Sequence, residues 1–72
     1  MNAIKARAIR RYLQESQVKF ARRIGVAAST ICAIEKKNRE ISDYVCSKLI
    51  RIEQELPSDF YIFLEKYQKQ HK

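Results

Sequence analysis

Hydrophobic residues recur along this chain at intervals of three and four, the spacing that places them on one face of an α-helix. The first such segment runs from Ala3 to Gln14, and its apolar face consists of Ala6, Ile9 and Leu13. The 72-residue chain contains one glycine and one proline, too few for the many tight turns of an all-β fold. We therefore expect an all-α protein.

A second, short helix is predicted between Ser16 and Gly25. Serine is a favoured N-cap residue, because its side-chain oxygen accepts a hydrogen bond from a free amide of the first turn. Glycine adopts the left-handed conformation that ends many helices. The apolar face of the segment is formed by Val18, Phe20, Ala21 and Ile24.

A third helix is predicted from Ala28 to Lys37, with Ile31 and Ile34 on its apolar side. Asn38 follows, and asparagine tolerates the left-handed backbone better than most residues other than glycine. We expect the helix to stop at Asn38 and a short basic loop to follow.

Two further helices are predicted in the second half of the chain. The fourth begins at a cap on Ser42 or Asp43 and ends before Pro57, since the residue before a proline is disfavoured in helical geometry. The fifth begins at a cap on Ser58 or Asp59, and we expect residues 68–72 to fray. The apolar faces of the two helices are Val45, Cys46, Leu49, Ile50, Ile52 and Leu56, and Phe60, Phe63, Leu64 and Tyr67.

The predicted elements form one compact five-helix domain without a linker. Residues 1–15 hold helix one, 16–37 a helix-turn-helix, 42–56 helix four, and 58–70 helix five with its frayed tail. A chain of this length is about half of an average domain, so a second domain is not expected.

Charge divides unevenly along the chain. Residues 1–39 carry ten Lys and Arg and two acids, a net charge of +8, whereas residues 40–72 carry five Lys and Arg and six acids, a net charge of −1. A compact domain with its basic residues collected in one half is typical of proteins that bind a polyanion. A solvated basic surface that serves only solubility is the alternative.

Catalytic and metal-binding residue types are scarce. The chain has two cysteines, Cys32 and Cys46, and one histidine, His71, whereas a structural zinc site requires four ligands. Acid–base catalysis draws on histidine or paired carboxylates held in a cleft. We expect no enzyme, no metal and no cofactor.

The cellular setting is predicted from the absence of an apolar segment of signal-peptide or membrane-spanning type. We expect a soluble, intracellular protein with no membrane association. Its cysteines should then remain reduced, with Cys46 in the core and Cys32 partly exposed.

The segment from 16 to 35 meets the steric needs of a helix-turn-helix. Ala21 faces the next helix, where a larger side chain would separate the pair, and Gly25 supplies the turn. In this arrangement the sequence resembles the phage-repressor-like helix-turn-helix family, of the Cro or XRE type, over residues 4–56. The segments that carry the resemblance are Ser16-Gln17-Val18-Lys19-Phe20-Ala21-Arg22-Arg23-Ile24-Gly25-Val26 and Ser29-Thr30-Ile31-Cys32-Ala33-Ile34-Glu35.

The resemblance implies a transcriptional regulator that binds double-stranded DNA with its third helix toward the major groove. It implies phosphate contacts from Gln17 and from the loop after helix three, and a structural pair between Arg10 and Glu35. An exposed salt bridge of little energetic value is the alternative for that pair. The setting implied is a phage or prophage regulator of lysogeny in the cytoplasm of a bacterial host. The candidate binding residues are Gln17, Arg22, Ala27, Ala28, Ser29, Cys32, Ala33, Lys36, Lys37, Asn38 and Arg39.

Two departures from the family pattern affect the functional prediction. Ala27 stands where the family usually caps helix three with Ser or Thr, a change that typically costs about 1 kcal/mol. The groove-facing side chains are small, and none forms the bidentate bonds to base edges that discriminate between sequences. Two interpretations stay open: DNA binding through phosphates and groove shape, or an antirepressor whose face on helices two and three binds a phage repressor protein.

Helix five raises the question of a homodimer. If part of its apolar face covers the core, Tyr61 and Ile62 remain outside and leave apolar surface that a second copy would bury. The alternative is that a small domain exposes a few large residues without consequence. The candidate dimer surface is Phe60, Tyr61, Ile62, Phe63 and Tyr67.

Overall fold

The computed structural model describes residues 1–71, which form five α-helices and no strand. The all-α fold is thereby confirmed. Helix α2 packs directly against α3, while α1 packs against α3, α4 and α5, so that α1 lies at the centre of the domain. The helices are α1 (Ala3–Tyr12), α2 (Gln17–Ile24), α3 (Ala28–Glu35), α4 (Asp43–Glu55) and α5 (Asp59–Gln70).

Side-chain caps explain where three of these helices begin. Asn2, Ser16 and Ser42 precede α1, α2 and α4, and each accepts a hydrogen bond from the backbone amide three residues further on. Such a bond satisfies one of the amides that lack a partner in the first turn. The cap of α4 is therefore Ser42 rather than Asp43. Ser58 precedes α5 without a side-chain cap bond.

The ends of α1 and α3 differ from the predicted ends. Helix α1 stops at Tyr12 because Gln14 takes a left-handed backbone with φ of 57°. Helix α3 stops at Glu35, and Lys37, not Asn38, adopts the left-handed conformation with φ of 62°. The predicted helix was therefore two residues too long, and the predicted left-handed residue was wrong by one position.

The same hydrogen-bond pattern closes α3 and α1. The amide of Lys37 donates to the Ile34 carbonyl and the amide of Asn38 donates to the Ala33 carbonyl, both at 3.0 Å. These two bonds form the Schellman motif, in which the left-handed residue turns the chain back over the last carbonyls. Gln14 holds the corresponding place after α1.

The last helix continues further than predicted. Helix α5 extends to Gln70, so residues 68–70 of the predicted frayed tail are helical in the structure, while Lys72 lies outside the described residues. Tyr67 is buried and stacks on the ring of His71 with 4.1 Å between ring centroids. This contact fastens the last turn to the core.

The core lies between all five helices and is centred on Phe20, Phe60, Ile9 and Leu49, the largest fully buried side chains. Cys46 is only half-buried, so its assignment to the core was wrong, whereas Cys32 is partly exposed as predicted. None of the helices in the described part of the chain has the length and apolar character that a membrane crossing requires.

The predicted dimer surface on α5 is reduced by the packing of this helix. Phe60 and Tyr67 are buried inside the domain and are unavailable to a second copy, and Phe63 is half-buried. Tyr61 and Ile62 are exposed, as predicted. The Tyr61 hydroxyl donates to a Glu53 carboxylate oxygen at 2.8 Å, so this ring is held on the surface by a polar contact.

Candidate nucleic-acid interface

The turn between α2 and α3 depends on the backbone of Gly25. Its φ is 78°, and its amide donates to the Ala21 carbonyl at 2.9 Å. A Cβ atom added there would meet only the Tyr44 hydroxyl, at 3.5 Å, so the left-handed backbone rather than lack of space requires glycine. Ala21 and Ile31 are both buried, and α2 packs directly against α3, as the helix-turn-helix prediction needs.

The outer face of α3 is smooth. Ala27 and Ser29 are exposed, whereas Ala28, Cys32 and Ala33 are half-buried, and Ala28 packs against the core. Its chemistry is limited to methyl groups, one hydroxyl and one thiol, none of which makes a bidentate contact. We call this surface the α3 outer face; its residues are Ala27, Ala28, Ser29, Cys32 and Ala33.

Ala27 precedes α3 with the extended backbone of an N-cap but without a side-chain hydrogen bond. Its φ and ψ of −72° and 147° are close to those of Ser16, at −69° and 165°. The helix therefore begins where the resemblance implies, although the cap itself is missing.

A group of exposed polar side chains lies on α2 and in the segment directly after α3. Its four cations form no ion pair within residues 1–71, so their charge is directed to solvent. We call this group the basic rim; its residues are Arg22, Lys36, Lys37, Asn38 and Arg39.

Arg10 and Glu35 lie in direct contact, as the resemblance implied. The Arg10 Nε and Nη2 atoms donate to the two oxygens of Glu35 at 2.6 and 2.8 Å. Their side chains are only 10% and 7% exposed, which excludes the alternative of a solvent-exposed salt bridge. The hydrogen bond to Glu35 raises the pKa of Arg10 and outweighs the opposing effect of burial.

Gln17 is held by the same carboxylate. Its Nε2 atom donates to Glu35 Oε1 at 3.1 Å, so its amide nitrogen faces into the protein. A phosphate contact from this side chain would require this hydrogen bond to be exchanged for one to the phosphate. This contact gives no signal in the sequence, because it depends on how α2 and α3 cross.

A second bidentate pair, between Glu15 and Arg23, escaped the sequence analysis. The Arg23 Nε and Nη2 atoms donate to Glu15 at 2.9 and 2.6 Å. Glu15 is buried, and the hydrogen bond from Arg23 lowers the pKa of its carboxyl group. Arg10 Nη1 also donates to the Glu15 carbonyl at 2.8 Å, so the two pairs are adjacent.

Both acids of the basic half are thus neutralised inside the domain. Glu15 and Glu35 are the two acids of residues 1–39, and each accepts two hydrogen bonds from one arginine. No acidic side chain of this half is free to repel a polyanion. Exposed Glu40 follows Arg39 directly in the chain, so the four cations of the basic rim outnumber one neighbouring carboxylate.

The described residues contain no group of three or more His, Cys, Asp or Glu side chains placed to hold a metal ion. Comparisons with protein-family models, with curated proteins and with solved structures find no match to this chain. The functional argument therefore depends on the residues and geometry described above.

Proposed function

We propose that the protein is a DNA-binding transcriptional regulator that directs α3 toward the major groove. One observation carries the proposal: α2 packs against α3, and four exposed cations lie on α2 and directly after α3 with no ion-pair partner in residues 1–71. Phosphates lie on both sides of a groove, so flanking cations and an inserted helix are complementary to duplex DNA.

Phosphate contacts supply most of the affinity in this proposal. Arginine and lysine release counterions when they neutralise phosphates, and this effect does not depend on base sequence. The α3 outer face adds a thymine-methyl contact from alanine and a hydroxyl contact from Ser29. We therefore propose modest sequence specificity, with groove shape contributing through indirect readout.

A duplex titration at two salt concentrations tests the proposal. If all four cations of the basic rim contact phosphates, the affinity should fall by about two orders of magnitude between about 50 mM and about 200 mM salt. Fluorescence anisotropy of a labelled duplex of mixed sequence measures this directly. Absence of binding at the lower salt concentration would contradict the proposal.

Single substitutions in the basic rim sharpen the test. Lys37→Ala and Arg39→Ala should weaken binding to all duplexes about equally, and each should reduce the salt slope by about one. Lys66→Ala is the matched control, because Lys66 is exposed on α5 outside the rim. If Lys66→Ala weakens binding as much as Lys37→Ala does, the interface lies elsewhere.

The smooth α3 outer face favours a second candidate, an antirepressor that binds a phage repressor protein and blocks its DNA binding. Small apolar side chains permit close packing against a protein, and surrounding cations complement an acidic partner. This surface has no side chain that forms a bidentate contact to a base edge, which is the observation in favour of this candidate.

Ala28→Glu distinguishes the two candidates. In the DNA regulator, the new carboxylate repels the duplex and weakens its binding. In the antirepressor, it abolishes capture of the repressor, because an unpaired charge is costly at a packed interface. Gln54→Glu adds the same charge at an exposed site on α4 and should alter neither activity.

A further inference from the structure

A recess of about 260 Å³ lies between α1, the loop after α3 and the end of α5. Arg7 comes from α1, Lys37 from the loop, and Tyr67 and His71 from the end of the chain. It is separate from the α3 outer face, although Lys37 belongs to both this recess and the basic rim. We call it the phosphate recess and define it by these four side chains.

Two residues that line the recess each carry a buried polar atom without a hydrogen-bond partner. Arg7 Nε and the Tyr67 hydroxyl are the buried side-chain polar atoms that have no hydrogen bond within residues 1–71. Tyr67 is only 7% exposed, so solvent does not satisfy its hydroxyl. Buried polar groups almost always have a partner, because leaving one unpaired destabilises the folded state. Two such atoms beside one recess indicate that an acceptor belongs there.

The carboxylate that lines the recess is already occupied. Glu35 also lines the recess, and its Oε1 atom lies 4.0 Å from Arg7 Nε, too far for a hydrogen bond. Both oxygens of Glu35 accept from Arg10, so Arg10 compensates this negative charge. Arg7 and Lys37 then leave an excess of positive charge around the recess.

We propose that this recess binds a phosphate group. The residues that can supply donors come from three separate segments: Arg7 from α1, Lys37 from the loop after α3 and Tyr67 from α5. Donors around several sides suit a tetrahedral oxyanion with multiple acceptor oxygens, and charged donors strengthen each bond. An acceptor oxygen would satisfy the orphaned Tyr67 and Arg7 atoms at once.

The phosphate has two possible sources with the same chemistry: a free phosphate ion or a phosphate of the DNA backbone. Lys37 links the recess to the basic rim, which places a backbone phosphate within the range of the proposed DNA surface. The recess itself does not require the protein to bind DNA. Inorganic phosphate and a duplex are therefore used as separate probes.

Thermal unfolding in phosphate and in chloride, at equal pH and ionic strength, tests the site. Phosphate should raise the melting temperature of the parent protein, since a ligand of the folded state stabilises it. Tyr67→Phe and Arg7→Gln should each lose most of this increase in melting temperature. Each variant removes one charged hydrogen bond to phosphate, and this loss lowers the phosphate affinity about tenfold. Arg51→Gln removes one charge from the exposed surface of α4 and should retain the increase.

The behaviour of Tyr67→Phe in chloride separates a binding role from a structural role. Without phosphate the variant should melt at or above the temperature of the parent, because it removes an unsatisfied buried hydroxyl. An equal loss of melting temperature in both buffers would show that the hydroxyl has a partner in the protein and would overturn the proposal. An equal phosphate effect on the parent, Tyr67→Phe and Arg7→Gln would overturn it as a general salt effect.

The duplex titration identifies the source. If Tyr67→Phe weakens duplex binding about tenfold, as loss of one charged hydrogen bond predicts, the recess holds a backbone phosphate. If it lowers only the effect of inorganic phosphate, the site takes the free ion. A parent protein that binds no duplex but is stabilised by phosphate through Tyr67 would contradict the proposed function and support the recess.

Discussion

The guanidinium of Arg10 in α1 and the carboxylate of Glu35 at the end of α3 share two hydrogen bonds, and the Gln17 amide of α2 donates to the same carboxylate. One carboxylate thereby connects three helices. The contact fixes α3 relative to the rest of the domain, so the orientation of the α3 outer face depends on it.

Removal of Glu35 should therefore destabilise the protein strongly. Glu35→Ala leaves the buried Arg10 guanidinium without its partner, a change that typically costs about 3–5 kcal/mol. Chemical denaturation monitored by circular dichroism measures the loss. Glu65→Ala is the control, because Glu65 and Lys69 form a pair whose side chains are both 70% exposed, and such pairs contribute about 0–1 kcal/mol. Equal effects of the two variants would contradict a structural role for Glu35.

The Glu15–Arg23 pair makes stability depend on pH. The pKa of Glu15 in the folded protein is below its ordinary value of 4.5, because Arg23 donates hydrogen bonds to its ionised form. A lowered folded pKa stabilises the protein above the unfolded pKa, and this contribution is lost as the pH falls through the folded value. Arg23→Gln should therefore reduce the free energy of unfolding near neutral pH and have much less effect in strong acid.

Arg22→Gln is the matched control for this pH dependence. Arg22 is the neighbouring arginine, it is exposed, and it forms no ion pair in the described part of the chain. Its substitution should leave the curve of unfolding free energy against pH parallel to that of the parent. If Arg22→Gln and Arg23→Gln shift the curve in the same way, net charge rather than the Glu15 contact causes the effect.

The starts of the helices were more predictable than their ends. Asn2, Ser16 and Ser42 cap by a local hydrogen bond to the amide three residues on, and a local interaction leaves a local pattern. The left-handed residues after α1 and α3 are Gln14 and Lys37, neither of which favours that backbone. After α3, the direction in which the chain must continue places Lys37 rather than Asn38 in the left-handed conformation. Tertiary packing outweighs a conformational preference of about 1 kcal/mol per residue.

Residues of the site were predictable only where they lie on one helix or where the family resemblance pairs them. The α3 outer face follows from helical spacing, and the resemblance paired Arg10 with Glu35. The Glu15–Arg23 pair depends on the angle between the turn after α1 and the end of α2. Three separate segments form the phosphate recess, and no spacing along the chain brings Arg7 next to Tyr67.

A cap at the start of α3 should stabilise the protein. Ala27→Ser places an acceptor oxygen at a backbone conformation close to that of Ser16, which caps α2. The expected gain is about 1 kcal/mol, measured by chemical denaturation. The reciprocal variant Ser16→Ala should lose a similar amount. If Ala27→Ser leaves the stability unchanged, the first turn of α3 does not adopt the described backbone.

At position 37 the backbone conformation favours glycine, whereas the proposed binding role requires the lysine side chain. Its φ of 62° is left-handed, a conformation that costs about 1–2 kcal/mol for a residue with a Cβ atom. Its ammonium belongs to both the basic rim and the phosphate recess. We expect Lys37→Gly to increase the free energy of unfolding by about 1 kcal/mol, while duplex binding weakens and the salt slope falls by about one.

Lys37→Ala separates the two effects, because it removes the same ammonium but keeps the Cβ atom at the left-handed position. Its duplex affinity should equal that of Lys37→Gly, whereas its stability should stay near that of the parent. Anisotropy titration and chemical denaturation of the same preparations measure both quantities. If Lys37→Gly binds duplex as tightly as the parent, the ammonium makes no phosphate contact. If the glycine and alanine variants are equally stable, the chain after α3 does not hold residue 37 in the left-handed conformation. Lysine at this position then causes no backbone strain.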